Sequence, residues 1–155
     1  MKTSFRPMRE DDKPFLTELY ISTRWEELQP VPWADEEKLN FLRWQFDAQH
    51  THYTQYFPNA RFDLILYKNR PIGRLYIDQR EDEIRIVDIA LLPQYRNQGI
   101  GARLIKDVMT DATKHGLAVR IHVEHNNPAM HLYDRLGFKK INEEGIYWLM
   151  EWKND

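Results

Sequence analysis

The chain has 155 residues, with 24 acidic against 22 basic side chains and a formal charge of −2, so it offers no general attraction to nucleic acid or to an anionic membrane. It contains no cysteine, which excludes disulfides, a thiolate zinc site and a cysteine nucleophile. Its length fits one domain, residues 1–155, with a single core. Met1 to Pro7 lacks the apolar stretch of a signal peptide and no apolar run approaches the roughly 18 residues of a membrane span, so a cytoplasmic protein is expected.

Phe5 to Met8 reads as an edge strand, where Pro7 is tolerated, and Asp11 and Asp12 read as caps of a helix from Lys13 to Trp25. Leu28 to Trp33, with Pro30 and Pro32, is a loop. A second helix opens near Ala34, carries Leu39, Leu42, Phe46 and Gln49 at helical spacing, and ends before Pro58. Three strands follow, Arg61 to Tyr67, Pro71 to Asp78 and Glu83 to Leu92, joined by hairpin-type connections. Gly99 to His115 has the stripe of a helix buried on one face, with Gly116 as its C-cap. Leu117 to Glu124 alternates as a strand, and its helical connection to the preceding strand makes the pair parallel. Pro128 to Leu136 is a short helix, and Phe138 to Ile141 with Ile146 to Trp152 form a last antiparallel pair. The sum is an α/β fold: a central mixed, mostly antiparallel sheet with helices on both faces.

Arg96-Asn97-Gln98-Gly99-Ile100-Gly101-Ala102 stands between an apolar strand and an amphipathic helix. Strand, glycine turn and helix start make an anion cradle: backbone N–H groups and the positive helix end hold a phosphate, and glycines let the main chain come close. The spacing R-x-x-G-x-G is not a Walker loop, since no G-K-[ST] follows, and it lacks one glycine of the dinucleotide fingerprint. A second segment, Asn126-Asn127-Pro128-Ala129 through Leu132-Tyr133 to Leu136-Gly137-Phe138, follows in register.

Together the two segments resemble the acyl-CoA-binding core of the GNAT superfamily of N-acetyltransferases, over roughly residues 83 to 141. The resemblance implies acetyl-CoA as cosubstrate. It sets the pyrophosphate on the N–H groups of Gln98, Gly99, Ile100 and Gly101, between Asn97 and Ala102, with Arg96 beside it. The backbone of Ile89, Ala90 and Leu91 would take the pantetheine arm as an added strand, and the parallel strands would splay apart after Leu91 and Val123 to admit it. Asn126 would bond the arm beside Ala129; an Asx turn into Pro128 explains that asparagine equally well. Tyr133 is the implied general acid for the leaving thiolate.

The general base is less legible. Many members of the superfamily carry a glutamate in the fourth strand, at the position that is Arg85 here. Asp88, His122 and Glu124 remain. Asp88 is costly to bury in an apolar run unless paired, and His122 titrates near neutrality on a strand that opens into the cleft, so the two rank equally. A water chain to solvent is the third route.

His50, His52, Tyr53 and Tyr56 lack the H-E-x-x-H spacing and read as a solvated helix end, so no metal is expected. Trp25, Trp33, Phe41, Trp44 and Phe57 form a packing set first and an acceptor wall second. Ile146, Tyr147, Trp148, Leu149 and Trp152 put apolar groups on both faces of a terminal edge strand, which admits a homodimer. The expected function is direct transfer of an acetyl group to the primary amine of a small molecule or protein; the rival reading is a non-catalytic CoA-binding or sensing module on the same fold.

Overall fold

Hydrophobic alternation and turn chemistry assemble one seven-stranded sheet flanked by helices, seen in a computed structural model that describes residues 2–154. In chain order the elements are β1 (Thr3–Pro7), α1 (Lys13–Arg24), α2 (Asp35–Tyr56), β2 (Arg61–Tyr67), β3 (Arg70–Gln79) and β4 (Glu83–Leu91), then α3 (Ile100–His115), β5 (Ala118–Glu124), α4 (Met130–Arg135), β6 (Lys139–Glu144) and β7 (Tyr147–Trp152). The strands lie in the order β1-β2-β3-β4-β5-β7-β6. All neighbours are antiparallel except β4 and β5, which are parallel and joined through α3. Among the described residues no helix is long and apolar enough to cross a membrane.

Local sequence explains the joints. Lys68 and Asn69, both at positive φ (49° and 63°), form the two-residue turn between β2 and β3, with the right-handed twist that suits a tight hairpin. Gly99 (φ 83°) and Gly116 (φ 67°) bracket α3, and the Leu117 N–H closes its end on the Ala112 carbonyl at 2.9 Å.

Alternation along β2 divides the core in two. Ile65 turns to one face, where Leu104, Ile105 and Val108 of α3 and Tyr133 of α4 cover the sheet. Leu64 and Leu66 turn to the other, against Leu16 and Tyr20 of α1 and Leu42 and Phe46 of α2. Both sets are buried, and each fully buried aliphatic side chain stabilises the fold by about 1.5–3 kcal/mol.

β4 changes face partway. Ile84 and Ile86 pack into the α3 side; Val87 is an extra residue, since Tyr76 pairs with Asp88 and Ile77 with Ile86. This bulge shifts the alternation, so beyond it Ile89 and Leu91 pack toward α3 and Asp88 turns to the α2 side.

Four expectations need correction. The parallel pairing ends at Ile86 with Ile121, so the strands part at Val87 and His122, well before Leu91 and Val123; the bulge supplies the reason. Asp12 does not cap α1: its carboxylate takes the Arg6 guanidinium in two bonds of 2.8 Å and the Arg9 N–H at 2.7 Å, and this pairing holds it below the usual carboxylate range. β7 is not an edge, because it lies between β5 and β6, so its backbone is paired on both sides, while Ile146 and Tyr147 stay exposed. The end of α2 is an aromatic cluster as well as a solvated end: Tyr53 meets Tyr76 at 5.9 Å, and His50 stacks on Phe46 at 5.5 Å, while Tyr56 remains exposed.

Candidate active site

The glycine turn takes the shape of a cradle. Asn97 (φ 59°) and Gly99 (φ 83°) are both left-handed, and α3 starts at once, its first internal bond running from the Arg103 N–H to the Gly99 carbonyl at 3.1 Å. Ile100, Gly101 and Ala102 therefore point N–H groups outward with no helical acceptor behind them. A Cβ built on Gly101 would meet nothing within 4 Å. Packing therefore does not demand glycine there, and the space before it suits a phosphate brought close to the main chain.

Arg96 does not reach into that space. Its Nε donates to the Leu91 carbonyl at 2.9 Å and its Nη2 to Ser22 Oγ at 3.1 Å, so it fastens the turn to β4 and to α1.

The free side of β4 is set by alternation. The Leu92 N–H donates to the Ile72 carbonyl of β3 at 2.8 Å, so the amides of Leu91 and Ile89 turn the other way, into the gap left where β5 departs. The amide of Ala90 turns to β3, and its carbonyl lies where any Cβ on Gly73 would fall. Of the three backbone positions expected to hold an extended arm, two face the gap.

Tyr133, on α4, belongs to the α3-side core against which Ile89 and Leu91 of β4 also pack. Asn127 Oδ1 accepts the Ala129 N–H at 2.9 Å, forming the turn that leads into the helix; the Asx turn thus belongs to Asn127, and Asn126 stays exposed. Ala129 is partly buried against the α3-side core. Tyr133 is 3% exposed, its ring 5.5 Å from that of Phe138, and among the described residues its hydroxyl has no hydrogen-bond partner. Burial, and after it the charge of Asp88, push its pKa above the ordinary tyrosine value. The phenol therefore stays protonated at neutral pH and is a donor.

The candidate bases are all engaged. Asp88 is ion-paired with Arg74, whose Nη2 also donates to Gln49 Oε1 of α2 at 2.7 Å. Arg74 is buried, with Nε unpartnered among the described residues. His122 lies on the face of β5 away from the α3 core, between Arg85 Nη1 (3.2 Å from Nδ1) and Glu144 Oε2 (2.7 Å from Nε2). A guanidinium only donates and a carboxylate only accepts, so the Nδ1 lone pair is taken by Arg85 and the Nε2 proton by Glu144. Glu124 Oε1 receives Arg24 Nη2 at 3.1 Å. Arg85 itself is fixed by buried Glu83 at 2.8 Å.

Beside the gap, on the α1–α2 side, a cavity of about 370 Å³ is walled by Tyr20, Arg24, Glu27, Gln45, Gln49, Glu124 and Tyr147. Sequence reasoning named Glu124 and placed Gln49 in a helical stripe, but it missed Arg74, Gln45 and Arg24. Arg74 had a signal: like Asp88, it is a lone charge inside an apolar strand, and such charges need each other.

A family model described as acetyltransferase (GNAT) family matches residues 16–138. The ribosomal protein bS18-alanine N-acetyltransferase of Haemophilus influenzae is 23% identical over 114 residues, 73% of this chain and 76% of that protein. The uncharacterized N-acetyltransferase CgeE of Bacillus subtilis is 32% identical over 69 residues, 44% of this chain, and the match spans 27% of the relative's length. The crystal structure of PaiA N-acetyltransferase from Thermoplasma acidophilum in complex with coenzyme A superposes with a TM-score of 0.73 at 19% identity, covering 99% of this chain and 100% of that one, which shows a common fold.

Proposed function

The chain belongs to the acetyltransferase (GNAT) family, and from that premise we propose that it transfers an acetyl group from acetyl-CoA to a primary amine by direct attack, in a cytoplasmic setting. The observation that carries the reading is the cradle at Asn97 to Ala102 following the free side of β4, with a buried phenol in the core that Ile89 and Leu91 pack against. No thiol nucleophile is available in a chain without cysteine.

The residues fit the cosubstrate. Gln98, Gly99, Ile100 and Gly101 would receive the pyrophosphate on their N–H groups, between Asn97 and Ala102, in the positive field of the α3 terminus. Ile89 and Leu91 would pair with the pantetheine arm, with Asn126 and Ala129 along its other side. When bound, acetyl-CoA supplies the activated thioester. The Leu91 N–H is directed to the side where the carbonyl oxygen gains negative charge, and Tyr133 gives its proton to the departing sulfur. Arg96 keeps Leu91 in place for that task. The amine's proton goes to solvent through the open cavity, since Asp88, His122 and Glu124 are each held by an arginine.

Isothermal titration with acetyl-CoA, followed by thiol release across a panel of amines, tests the reading. Binding together with turnover is expected. Binding with thiol release at background across the panel would overturn it in favour of a CoA-binding module.

A further inference from the structure

We propose that β6 is the seam of a homodimer, in which the outer edge of one copy pairs antiparallel with the same edge of a second. This stands apart from the acetyl-transfer reading and does not need it.

The sheet ends at β1 and β6. An end strand presents a row of unpaired N–H and C=O groups, and such edges are ordinarily blunted by proline or lysine. β1 carries Pro7 at its last position. β6 reads Lys139-Lys140-Ile141-Asn142-Glu143-Glu144, is exposed along its whole length and pairs with β7 alone. Its lysines do not repel a second copy. When the strand is run antiparallel about a twofold axis between Ile141 and Asn142, Lys139 of one copy stands opposite Glu144 of the other and Lys140 opposite Glu143, and the symmetry repeats both pairs.

The side-chain faces agree with that register. In a regular strand, residues 140 and 143 would turn to opposite faces. Here Ile141 is an extra residue, since Lys140 pairs with Met150 of β7 and Asn142 with Leu149. The bulge leaves Lys140 and Glu143 on one face, beside Met150 and Trp148 of the α3-side layer. Lys139 and Glu144 share the other face, beside Glu151 and Tyr147. A twofold axis perpendicular to the sheet keeps each face on its own side, so lysine meets glutamate across the seam on both. A slip of one residue would set every pair on opposite faces.

These charges are under-used within one chain. Neither lysine meets a carboxylate among the described residues, and Lys140 Nζ only covers the Trp148 ring at 4.7 Å. Glu143 and Glu144 reach His125 at 3.2 Å and His122 at 2.7 Å through one oxygen each, which leaves each carboxylate a second oxygen for an ammonium. Ile141 lies at the centre of the seam and is 47% exposed, a side chain that a second copy would cover. The seam is short, so the pairing belongs with the small, reversible interfaces that follow mass action. Its charges fix partner and register more than they supply affinity.

The test is sedimentation velocity of the full chain over about 5–500 µM, a range in which small interfaces associate. We expect a monomer–dimer equilibrium whose dissociation constant rises about tenfold between low salt and about 0.5 M salt, since exposed charges are screened. Lys139→Glu with Lys140→Glu makes the edge wholly acidic, and Glu143→Lys with Glu144→Lys makes it wholly basic. Each double variant alone should stay monomeric, and an equimolar mixture of the two should dimerise. Because the basic variant also releases His122 and His125, hydrogen exchange in the unaltered chain gives a second readout: exchange of the outward β6 amides should slow about tenfold as concentration rises, with β1 unchanged. A monomer throughout the range would overturn the proposal. So would a dimer whose β6 amides stay unprotected, or folded charge variants that dimerise alone or fail to dimerise when mixed.

Discussion

Arg96 Nε lies 2.9 Å from the Leu91 carbonyl oxygen, so the residue that opens the glycine turn also anchors the end of β4. Because Nη2 simultaneously reaches Ser22 Oγ of α1, three elements meet at one guanidinium. Arg96→Ala should raise the KM for acetyl-CoA about tenfold and lower kcat as well, since losing bonds to a charged donor costs more than 1 kcal/mol. Arg96→Lys should not rescue it, because a point charge cannot bridge both acceptors. Steady-state kinetics unchanged in the alanine variant would remove this positioning role.

Gly101→Val addresses the cradle. A Cβ there meets no protein atom within 4 Å, so the fold should survive with an unaltered circular dichroism spectrum. The added methyl groups would fill the phosphate's approach, and acetyl-CoA affinity should fall at least tenfold by calorimetry. Wild-type affinity in the folded variant would refute the cradle.

Tyr133→Phe keeps the ring against Phe138 and removes only the hydroxyl. Turnover should drop about 100-fold with acetyl-CoA affinity little changed, as for an acid that acts in the transition state. Because burial raises the phenol's pKa, the wild-type rate should show no alkaline loss from this group below about pH 10. Full activity in the phenylalanine variant would end its assignment as the acid.

Gly73→Ala tests the fit of β3 against β4. The new methyl group would overlap the Ala90 carbonyl and crowd Leu91, so we expect a loss of about 1–3 kcal/mol in chemical denaturation, typical of overpacking. Stability equal to wild type would mean the strands separate there more easily than their pairing implies.

His50 gives a pH dependence of stability. Burial, then the charge of Lys13, lower its pKa below the ordinary 6.5, so the folded chain binds fewer protons there than the unfolded one. Its stabilising contribution is complete above the unfolded pKa and is lost as pH falls through 6.5 toward the folded value. Melting temperature should fall between pH 7.5 and 5.5 more steeply in wild type than in His50→Gln. Parallel curves would show that the imidazole is not desolvated.

Local signals made much of this architecture legible. β2 ran from Arg61 to Tyr67 as read, because a continuous apolar stretch ends at a turn whose Lys68 and Asn69 tolerate positive φ. α3 was bracketed by its two glycines for the same reason. α4 began later than Pro128 because Asn127 and Pro128 are spent on the turn before it. What stayed hidden depends on partners far along the chain. The place of β7 between β5 and β6 cannot be read from the hairpin it forms with β6. Arg96 is drawn out of the cradle by a serine 74 residues earlier. His122 reads as a base from its residue type and the strand it stands on, and only Arg85 and Glu144 show where its proton and lone pair are used.

Val87 sets a parity. From Glu83 to Ile86 the even-numbered side chains of β4 face α3, and from Asp88 to Leu91 the odd-numbered ones do. One strand is thus written in two frames, the first committed to the parallel seam with β5 and the second to an open edge. Were Val87 drawn into regular pairing instead of bulging, no charge and no hydrogen-bonding group of the site would be erased, yet Asp88 would turn toward the apolar layer beneath α3 and Ile89 would swing out toward α2. Function in this fold is therefore held by a count of residues as much as by their kinds.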